Sequence, residues 1–265
     1  MNEIITGNCA NVMSTWEPDC IDLTVTSPPY DNLRDYEGYH FDFEAIAAQL
    51  WRVTKPGGVV VWVVGDATVN GSETGTSFRQ ALHFMELGFN LHDTMIYRKK
   101  NFIPLTHKRY EQEFEYMFVL SKGTVNTFNP RMVPTNGSGM KQNLSRKGYG
   151  FKEGAYRRRN EDVITKSEKQ HGNIFSYSCG ASGIDHPAPF NELLARDHIV
   201  SWSNPGDTVL DPMCGSGTTL KMAVQTGRNY IGIDISEKYC EIARKRVAIA
   251  QPPLFVSDMQ ANALG

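Results

Sequence analysis

A short glycine-rich segment near the C-terminus constrains the fold of this chain more than any other feature. Residues 208–211 form a strand-like stretch that ends in Asp211, and the turn after it contains Gly215 and Gly217. A helical pattern follows from Thr218, and a second strand-like stretch, 229–234, ends in an acid. A strand that passes through a tight glycine turn into a helix and then a further strand is typical of α/β domains.

The same alternation of strands and helices recurs along the chain. The run Val59–Val64 is continuously apolar, as expected for a strand that is buried on both faces. Ser77 and Gln80 have the spacing of a capping box, which predicts that a helix opens at Ser77 and stops at Gly88. These patterns predict a doubly wound, mostly parallel α/β sheet. The other predicted strands are 20–26, 95–98, 114–120, 208–211 and 229–234, and the other predicted helices are 43–54, 190–202, 218–226 and 237–249.

The middle of the chain, residues 123–185, differs in character from both flanks. It has little periodicity and is rich in glycine, serine, asparagine, lysine and arginine. A connection of this length is uncommon inside a compact domain unless it has a function of its own. We therefore predict an insertion at 123–185, between the folded halves 1–122 and 186–265.

Composition excludes several classes of protein. The chain has 265 residues, of which 40% are hydrophobic, so it can bury the core of one large domain. Val59–Val64 is the longest apolar run and is far shorter than a membrane span, and we expect no signal peptide. The five cysteines are scattered and form no Cys-x-x-Cys pair, which favours a reducing cytoplasm over disulfides or a zinc site.

The chemistry of the glycine turn favours a ligand without phosphate. The dinucleotide fingerprint needs a third glycine where this chain has Leu220, and a P-loop needs a lysine where it has Thr218. Asp211 would repel a phosphate but attract a cation, and the carboxylate of Asp234 can accept both hydroxyls of a ribose. S-adenosylmethionine has a sulfonium, an ammonium and a ribose and fits this pattern. The alternative is a turn that only packs a helix against a strand.

A second motif, Thr26-Ser27-Pro28-Pro29-Tyr30, directly follows the first predicted strand. The two prolines fix the backbone and remove two N–H donors, which leaves carbonyl groups free for a substrate. Tyr30 at the rim of the sheet has an aromatic face suited to stacking on a base. The alternative is a proline turn with a half-buried tyrosine.

Together the two motifs resemble those of the S-adenosylmethionine-dependent amino DNA methyltransferases. The order of the motifs, with the catalytic one first, is similar to the permuted beta-type arrangement of that family. The resemblance implies a Rossmann-like methyltransferase fold, and it implies that 123–185 is the target-recognition region between a catalytic half and a cofactor-binding half. It is carried by Ser27–Tyr30, Asp211–Thr219, the segment His186–Leu194, the segment Asn204–Asp211 and the segment Tyr230–Asp234.

The resemblance also implies a reaction. In the family, a base is swung out of the DNA duplex and its exocyclic amine attacks the methyl group of the cofactor. The hydroxyl of Ser27 and the carbonyl of Pro28 would accept the protons of that amine, and Tyr30 would stack on the base. Ser27, where adenine enzymes have Asp or Asn, favours the N4 position of cytosine, with N6 of adenine as the alternative. No cysteine lies beside a proline to support methylation at carbon 5.

The resemblance assigns further residues to the cofactor, S-adenosyl-L-methionine, and requires no metal. Asn8 stands where the family often has Asp, and its side-chain carbonyl could still accept from the amine of the adenine. The catalytic residues are expected to be Ser27, Pro28, Pro29 and Tyr30. The cofactor-binding residues are expected to be Asn8, Cys9, Thr26, Phe190, Asp211, Pro212, Met213, Cys214, Gly215, Gly217, Thr218, Thr219, Asp234 and Ile235.

Charge is segregated along the chain although the total is only -2. Residues 98–169 contain 16 Lys and Arg against 7 Asp and Glu. The rest of the chain has more acidic than basic residues and carries a net negative charge. This basic segment suits contacts with double-stranded DNA, and the alternative is a solvated loop whose charges serve solubility. The expected DNA-binding residues are Lys99, Lys100, Lys108, Arg109, Arg146, Lys147, Arg157, Arg158 and Arg159.

Two other functions compete with a DNA methyltransferase. One is a catalytically silent DNA-binding relative, against which the intact motifs argue. The other is a methyltransferase that acts on RNA, protein or a small molecule. We expect a cytoplasmic protein encoded by a bacterium or phage, with a cognate restriction endonuclease as a possible partner. The sequence leaves the choice between a monomer and a homodimer open.

Overall fold

The computed structural model of the chain describes residues 2–29, 41–101, 108–136, 141–142, 163–164, 166–178 and 190–251. Its strands, in chain order, are β1 (Glu3–Thr6), β2 (Ile21–Thr26), β3 (Thr54–Val64), β4 (Thr68–Val69), β5 (Ser72–Glu73), β6 (Asn90–Lys99), β7 (Phe114–Ser121), β8 (Met132–Pro134), β9 (Lys141–Gln142), β10 (Val163–Ile164), β11 (Glu168–Gln170), β12 (Ile174–Tyr177), β13 (Thr208–Asp211) and β14 (Asn229–Asp234). Its helices are α1 (Cys9–Ser14), α2 (Phe43–Val53), α3 (Thr76–Glu86), α4 (Glu192–Trp202), α5 (Thr218–Gln225) and α6 (Glu237–Ala248).

Within the described residues, eight strands form one central sheet in the order β1-β14-β13-β2-β3-β7-β6-β12. All neighbouring pairs are parallel except those of β7, which runs antiparallel to β3 and to β6. The mostly parallel, doubly wound α/β sheet expected from the sequence is therefore present. No helix in the described ranges has the length and apolar character needed to cross a bilayer.

The central strand β3 contributes to the core on both faces of the sheet. Trp62, with its neighbours at 60 and 64, packs in one apolar cluster with residues of α1, α2 and α3. Val61, with its neighbours at 59 and 63, packs in a second cluster with residues of α4 and α5. All six side chains of Val59–Val64 are buried. A continuous apolar run in the sequence is the pattern that this two-sided burial requires.

The helix predicted to open at Ser77 begins one residue earlier, and its capping differs from the expectation. Gly75, in a left-handed conformation, occupies the N-cap position, and no side chain caps the helix locally. The backbone N–H of Ser77 donates instead to the carboxylate of Asp66, 2.9 Å away, and Gln80 accepts from the indole of Trp62. The capping-box interpretation was wrong because the hydroxyl of Ser77 also donates to Asp66, over 2.5 Å, and the side chain of Gln80 is engaged by the buried indole of Trp62.

Residues 130–172 form a second compact unit, and the remainder of the chain forms the first. In the second unit, β8 pairs with β11 and β9 pairs with β10, both antiparallel. The strand β12 belongs to the first unit, because it extends the central sheet beside β6. The predicted insertion at 123–185 includes Ile174–Tyr177, because four residues are too few to show a strand pattern in the sequence.

Candidate active site

Four adjacent strands end in polar residues at one edge of the sheet. β1, β14, β13 and β2 are parallel neighbours, and they end at Thr6, Asp234, Asp211 and Thr26. The carboxyl ends of parallel strands meet at one edge, which is where open α/β sheets bind their ligands. This edge is the candidate site, and both sequence motifs lie on it.

A hydrogen bond joins the two motifs directly. The hydroxyl of Thr26 donates to Oδ1 of Asp211 over 2.8 Å, and both side chains are buried. A second link runs from the hydroxyl of Thr219, at the start of α5, to the carbonyl of Val25, 3.3 Å away. Segments that are 185 residues apart in the sequence are therefore held in contact in the fold.

The glycine turn has a backbone conformation that only glycine adopts easily. Gly215 and Gly217 have φ angles of 48° and 77°, and Gly217 is the N-cap of α5. A Cβ atom at Gly217 would lie 2.7 Å from Cβ of Ala243, so α6 packs directly against the turn. The two glycines thus allow both the left-handed turn and the close approach of α6.

The carboxylate of Asp234 fixes the turn from the neighbouring strand. Its Oδ2 accepts from the N–H of Gly215 over 2.8 Å, and its Oδ1 accepts from the N–H of Ser236 over 2.9 Å. The carbonyl of Asp234 also accepts from the N–H of Gly7, 2.9 Å away. Asp234 thereby ties together the ends of β14, β13 and β1 at the candidate site.

Asp211 carries a buried carboxyl whose charged form is destabilised. Burial raises its pKa from 3.8 to about 6, although the hydrogen bonds from Thr26 and Met213 act in the opposite direction. A cation placed near such a carboxyl stabilises the ionised form and is itself stabilised. A buried carboxyl of this kind is suited to a positively charged ligand.

The residues expected to contact the substrate follow β2 without interruption. Ser27 is partly buried, Pro28 is buried and Pro29 is partly buried. They leave the sheet at the same edge as Asp211, one residue after the hydrogen bond that joins the two motifs. Tyr30 lies outside the described residues.

Comparison with known proteins decides the family. Residues 21–245 match the family model of the N6 and N4 methyltransferases, described as DNA methylase. The matched range covers most of the chain and includes both motifs. The chain belongs to this DNA methylase family.

The relatives and solved structures that the methylase resembles agree with this assignment. It is 52% identical over 237 residues to the orphan methyltransferase M.BamHII of Bacillus amyloliquefaciens, with 86% of this chain and 89% of the relative covered. It is 23% identical to the type II methyltransferase M.SmaI of Serratia marcescens, with 92% of this chain and 90% of the relative covered. Its fold matches that of the cytosine-N4-specific PvuII DNA methyltransferase with a TM-score of 0.69, at 17% identity and with 100% and 93% covered.

The family is S-adenosylmethionine-dependent, so S-adenosylmethionine is the cofactor of this methylase, and solved structures of the same fold include complexes with it. The residues at the strand edge fit such a group. Asp211 offers a buried carboxyl for the cationic part, and the glycine turn gives close access to the backbone. The described residues contain no group of three His, Cys, Asp or Glu side chains that could hold a metal ion.

The remaining residues expected at the cofactor differ in their burial and in their contacts. Asn8 is the N-cap of α1, and its side-chain oxygen accepts from the N–H of Asn11 over 3.1 Å. Burial raises the pKa of Cys9 to about 12 and raises that of Cys214 well above its usual value, so both thiols are protonated and unreactive.

Phe190 is half-buried beside the second core cluster. Pro212 and Thr218 are buried, and Met213 and Ile235 are partly buried.

Arg246 stabilises the glycine turn and was not predicted from the sequence. The guanidinium of Arg246, in α6, donates to the carbonyl and hydroxyl of Ser216 over 2.7 and 2.8 Å and to the hydroxyl of Thr218 over 3.1 Å. Its Nη2 donates to Oε1 of Glu192, the first residue of α4, over 2.8 Å. The ammonium of Lys221 donates to the same carboxylate oxygen. Nothing in the local sequence distinguishes Arg246 from Lys245, the other basic residue in the last turn of α6.

The structure describes four of the nine basic residues expected to bind DNA. It places Lys99 and Lys100 at the same edge of the sheet as the candidate site. β6 runs parallel to β3, so Lys99 and Lys100 are at the edge where Thr26 ends β2. Lys99 pairs with Glu115 over 2.6 Å and Arg109 pairs with Glu73 over 3.6 Å, whereas Lys100 and Lys108 form no ion pair with the described residues. The other five expected residues, Arg146, Lys147, Arg157, Arg158 and Arg159, lie outside the described residues.

Proposed function

We propose that this DNA methylase transfers the methyl group of S-adenosylmethionine to the exocyclic amine of a base swung out of double-stranded DNA, and that the base is cytosine. The hydrogen bond between Thr26 and Asp211 carries the proposal. It joins the residue directly before Ser27 to the last residue of β13, which directly precedes the glycine turn. The segment expected to hold the base and the segment expected to hold the cofactor therefore meet at one point.

The amine needs activation because its lone pair is delocalised into the aromatic ring. Two hydrogen-bond acceptors, the hydroxyl of Ser27 and the carbonyl of Pro28, would draw its protons and move the nitrogen towards tetrahedral geometry. Pro28 and Pro29 fix the backbone that presents these acceptors. Stacking of the base on Tyr30 would offset part of the few kcal/mol that base flipping costs.

The bound cofactor supplies an electrophilic methyl group on a sulfonium. In our assignment the carboxyl of Asp211 faces the cationic part, and the carboxylate of Asp234 accepts from the ribose. Asp234 also holds the N–H of Gly215, so the same side chain shapes the turn and can contact the ligand. These roles require no covalent enzyme intermediate, in agreement with the protonated state of Cys9 and Cys214.

Cytosine is proposed on the basis of Ser27, which precedes the two prolines where adenine enzymes have Asp or Asn. The fold is also shared with the PvuII enzyme, which is specific for N4 of cytosine, but at 17% identity that likeness concerns the fold alone. The alternative target is N6 of adenine, for which the same pair of acceptors would serve.

A direct assay tests both the reaction and the base. The purified methylase is incubated with radiolabelled S-adenosylmethionine and unmethylated duplex DNA, and the DNA is digested to nucleosides. We expect the label in N4-methylcytosine. Label in N6-methyladenine would overturn the choice of base, and label in supplied RNA or protein, or none at all, would overturn the proposed reaction.

A pair of serine variants tests the role of the hydroxyl. Ser27→Ala should slow methyl transfer and leave the affinity for S-adenosylmethionine nearly unchanged, because the hydroxyl is assigned to the base. Ser14→Ala is the matched control, since Ser14 is exposed on α1 and bonds only to the carbonyl of Asn11 among the described contacts. Equal rates for the two variants would contradict the assignment of Ser27.

A further inference from the structure

Tyr110, in the loop between β6 and β7, lies entirely in solvent. Its exposed fraction is 100%, the highest among the large hydrophobic side chains that the structure describes. The basic residues Lys108 and Arg109 directly precede it, and both are exposed as well. A single exposed aromatic side chain is common on protein surfaces, so its position relative to the candidate site decides what it can do.

The loop stands beyond the edge of the sheet at which the candidate site lies. Thr26, the last residue of β2, is in register with Trp62 of β3. Through Phe118 of β7, this level of the sheet reaches Thr94 of β6. From there β6 continues to Lys99, which adds roughly 16 Å at about 3.3 Å per residue. The β6–β7 pair therefore projects well past the end of β2, where the catalytic segment leaves the sheet.

Contacts on both sides hold the short span that carries Tyr110. On one side, the guanidinium of Arg109 donates to a carbonyl in the turn between β4 and β5 and lies 3.6 Å from the carboxylate of Glu73 in β5. On the other side, the carbonyl of Glu113 accepts from the N–H of Lys99 over 2.7 Å. The backbone at Tyr110 is thus anchored at both ends while its ring stays in solvent, which lowers the entropy lost when the ring binds a ligand.

The reaction proposed above creates a place for such a ring. A base that swings out of the duplex gives up its pairing and stacking, and its two former neighbours then face a gap. Proteins can fill a space between base steps with an inserted side chain, and an aromatic ring can stack on any base because every base has a π-face. With the flipped base at Ser27, the rest of the duplex lies outside the sheet edge, on the side to which the β6–β7 pair projects.

We propose that Tyr110 intercalates into the duplex and fills the gap that the flipped base leaves, between the two former neighbours of that base. The inference rests on the proposed function, because base flipping is what opens the gap. Exposed Lys108, two residues before the ring, can neutralise a backbone phosphate beside it. The role is distinct from that of Tyr30, which is assigned to the flipped base itself: Tyr110 stabilises the flipped state from inside the duplex.

Methyl transfer to two short duplexes tests this role. The methylated site is first mapped by sequencing DNA that the wild-type chain has modified. One duplex then carries this site fully paired, and the other carries a mismatched base opposite the target, which lowers the cost of flipping. Tyr110→Ala should lower kcat/KM roughly tenfold or more on the paired duplex but less than about threefold on the mismatched one. Tyr110→Phe keeps the ring and should retain most of the activity on both.

Phe128→Ala is the matched control, because Phe128 is a 52% exposed aromatic that follows β7 at the opposite edge of the sheet. It should behave as wild type on both duplexes. Tyr30→Ala should stay slow on both, since its ring is assigned to holding the base during transfer. An equal loss for Tyr110→Ala on the two duplexes, or no loss on the paired one, would overturn the intercalation and leave the proposed function intact. A wild-type chain that labels no DNA would overturn the proposed function and this inference with it.

Discussion

Asp211 illustrates how one buried side chain can depend on a ligand for its charge. Its carboxyl accepts from Thr26 over 2.8 Å and from the N–H of Met213 over 3.2 Å, yet burial raises its pKa from 3.8 to about 6. A rise of this size corresponds to roughly 3 kcal/mol against the ionised form in the folded state. The pKa of Asp211 is higher in the folded state than in the unfolded state, so protonation of this carboxyl favours folding. Its contribution to the free energy of unfolding is fully present below about pH 4 and is lost as the pH rises through 6.

Asp211→Asn should therefore stabilise the ligand-free methylase at pH 7.5, since it removes the cost of a buried charge while an amide oxygen can still accept from Thr26. The gain in Tm should shrink as the pH is lowered from about 7 to 4, where the wild-type carboxyl becomes protonated. The same variant should bind S-adenosylmethionine more weakly. Thermal denaturation over a pH series, with and without cofactor, measures both effects. A difference in Tm that does not depend on pH would contradict the role of the charge.

Tyr30 belongs to the substrate side of the site in our assignment, and its loss should affect only that side. Tyr30→Ala should lower kcat/KM for DNA roughly 5- to 150-fold, which corresponds to stacking worth about 1–3 kcal/mol. Calorimetry should show nearly unchanged binding of S-adenosylmethionine. Tyr30→Phe keeps the aromatic face and is the control that should retain most of the activity. A loss of cofactor affinity in Tyr30→Ala would place the ring elsewhere.

At the scale of elements, the glycine turn is supported by two helices that are distant from it in the sequence. Arg246 of α6 bonds to Ser216 and Thr218 in the turn and to Glu192 at the start of α4. Its side chain is only 15% exposed, so these hydrogen bonds are protected from water. We therefore expect Arg246 to act as a positioning residue that fixes the shape of the cofactor-binding turn.

Arg246→Met should raise the KM for S-adenosylmethionine by roughly 10- to 100-fold, since bonds to a charged donor contribute about 1.5–3 kcal/mol. The kcat at saturating cofactor should change much less, because the substrate side is untouched. Arg246→Lys should recover part of the loss, and Lys245→Met, an exposed neighbour on the same helix, should have no effect. A lower Tm with unchanged KM would mean that Arg246 serves only the stability of the fold.

At the scale of the whole molecule, the net charge of -2 conceals a segregated distribution. The segment 98–169 is basic and the rest of the chain is acidic. Of the four expected DNA-binding residues that the structure describes, Lys100 and Lys108 form no ion pair with the described residues, whereas Lys99 and Arg109 do. Positive charges without such partners are available for phosphate contacts, whereas Lys99 and Arg109 would first have to exchange a carboxylate for a phosphate.

Lys100→Ala and Lys108→Ala should each weaken DNA binding at low salt and reduce the slope of log K against log salt concentration by about 0.9. Lys245→Ala, which removes an exposed charge from α6, should leave the slope unchanged. Fluorescence anisotropy with labelled duplex DNA at several salt concentrations measures these slopes. Equal slopes for all three variants would exclude Lys100 and Lys108 from the DNA contact.

The sequence by itself determined the elements whose patterns are local. The continuous apolar run at 59–64 predicted a strand buried on both faces, and the glycine turn at 215–217 predicted the passage from β13 into α5. These features are encoded by neighbouring residues, because burial on two faces and positive φ angles each restrict the residue types allowed at a position. Asp211 and Asp234 were likewise predicted from the local pattern to lie at the ends of their strands, β13 and β14.

Only the tertiary structure decided which distant groups meet. The bond from Thr26 to Asp211, the contacts of Arg246 with the turn and the capping of α3 by Asp66 each join segments that sequence spacing does not relate. The edge strand β12 likewise takes its place from pairing with β6 rather than from its own four residues. Side-chain hydrogen bonds form wherever folding brings a donor to an acceptor, so local periodicity predicts the elements but not the partners that complete the site.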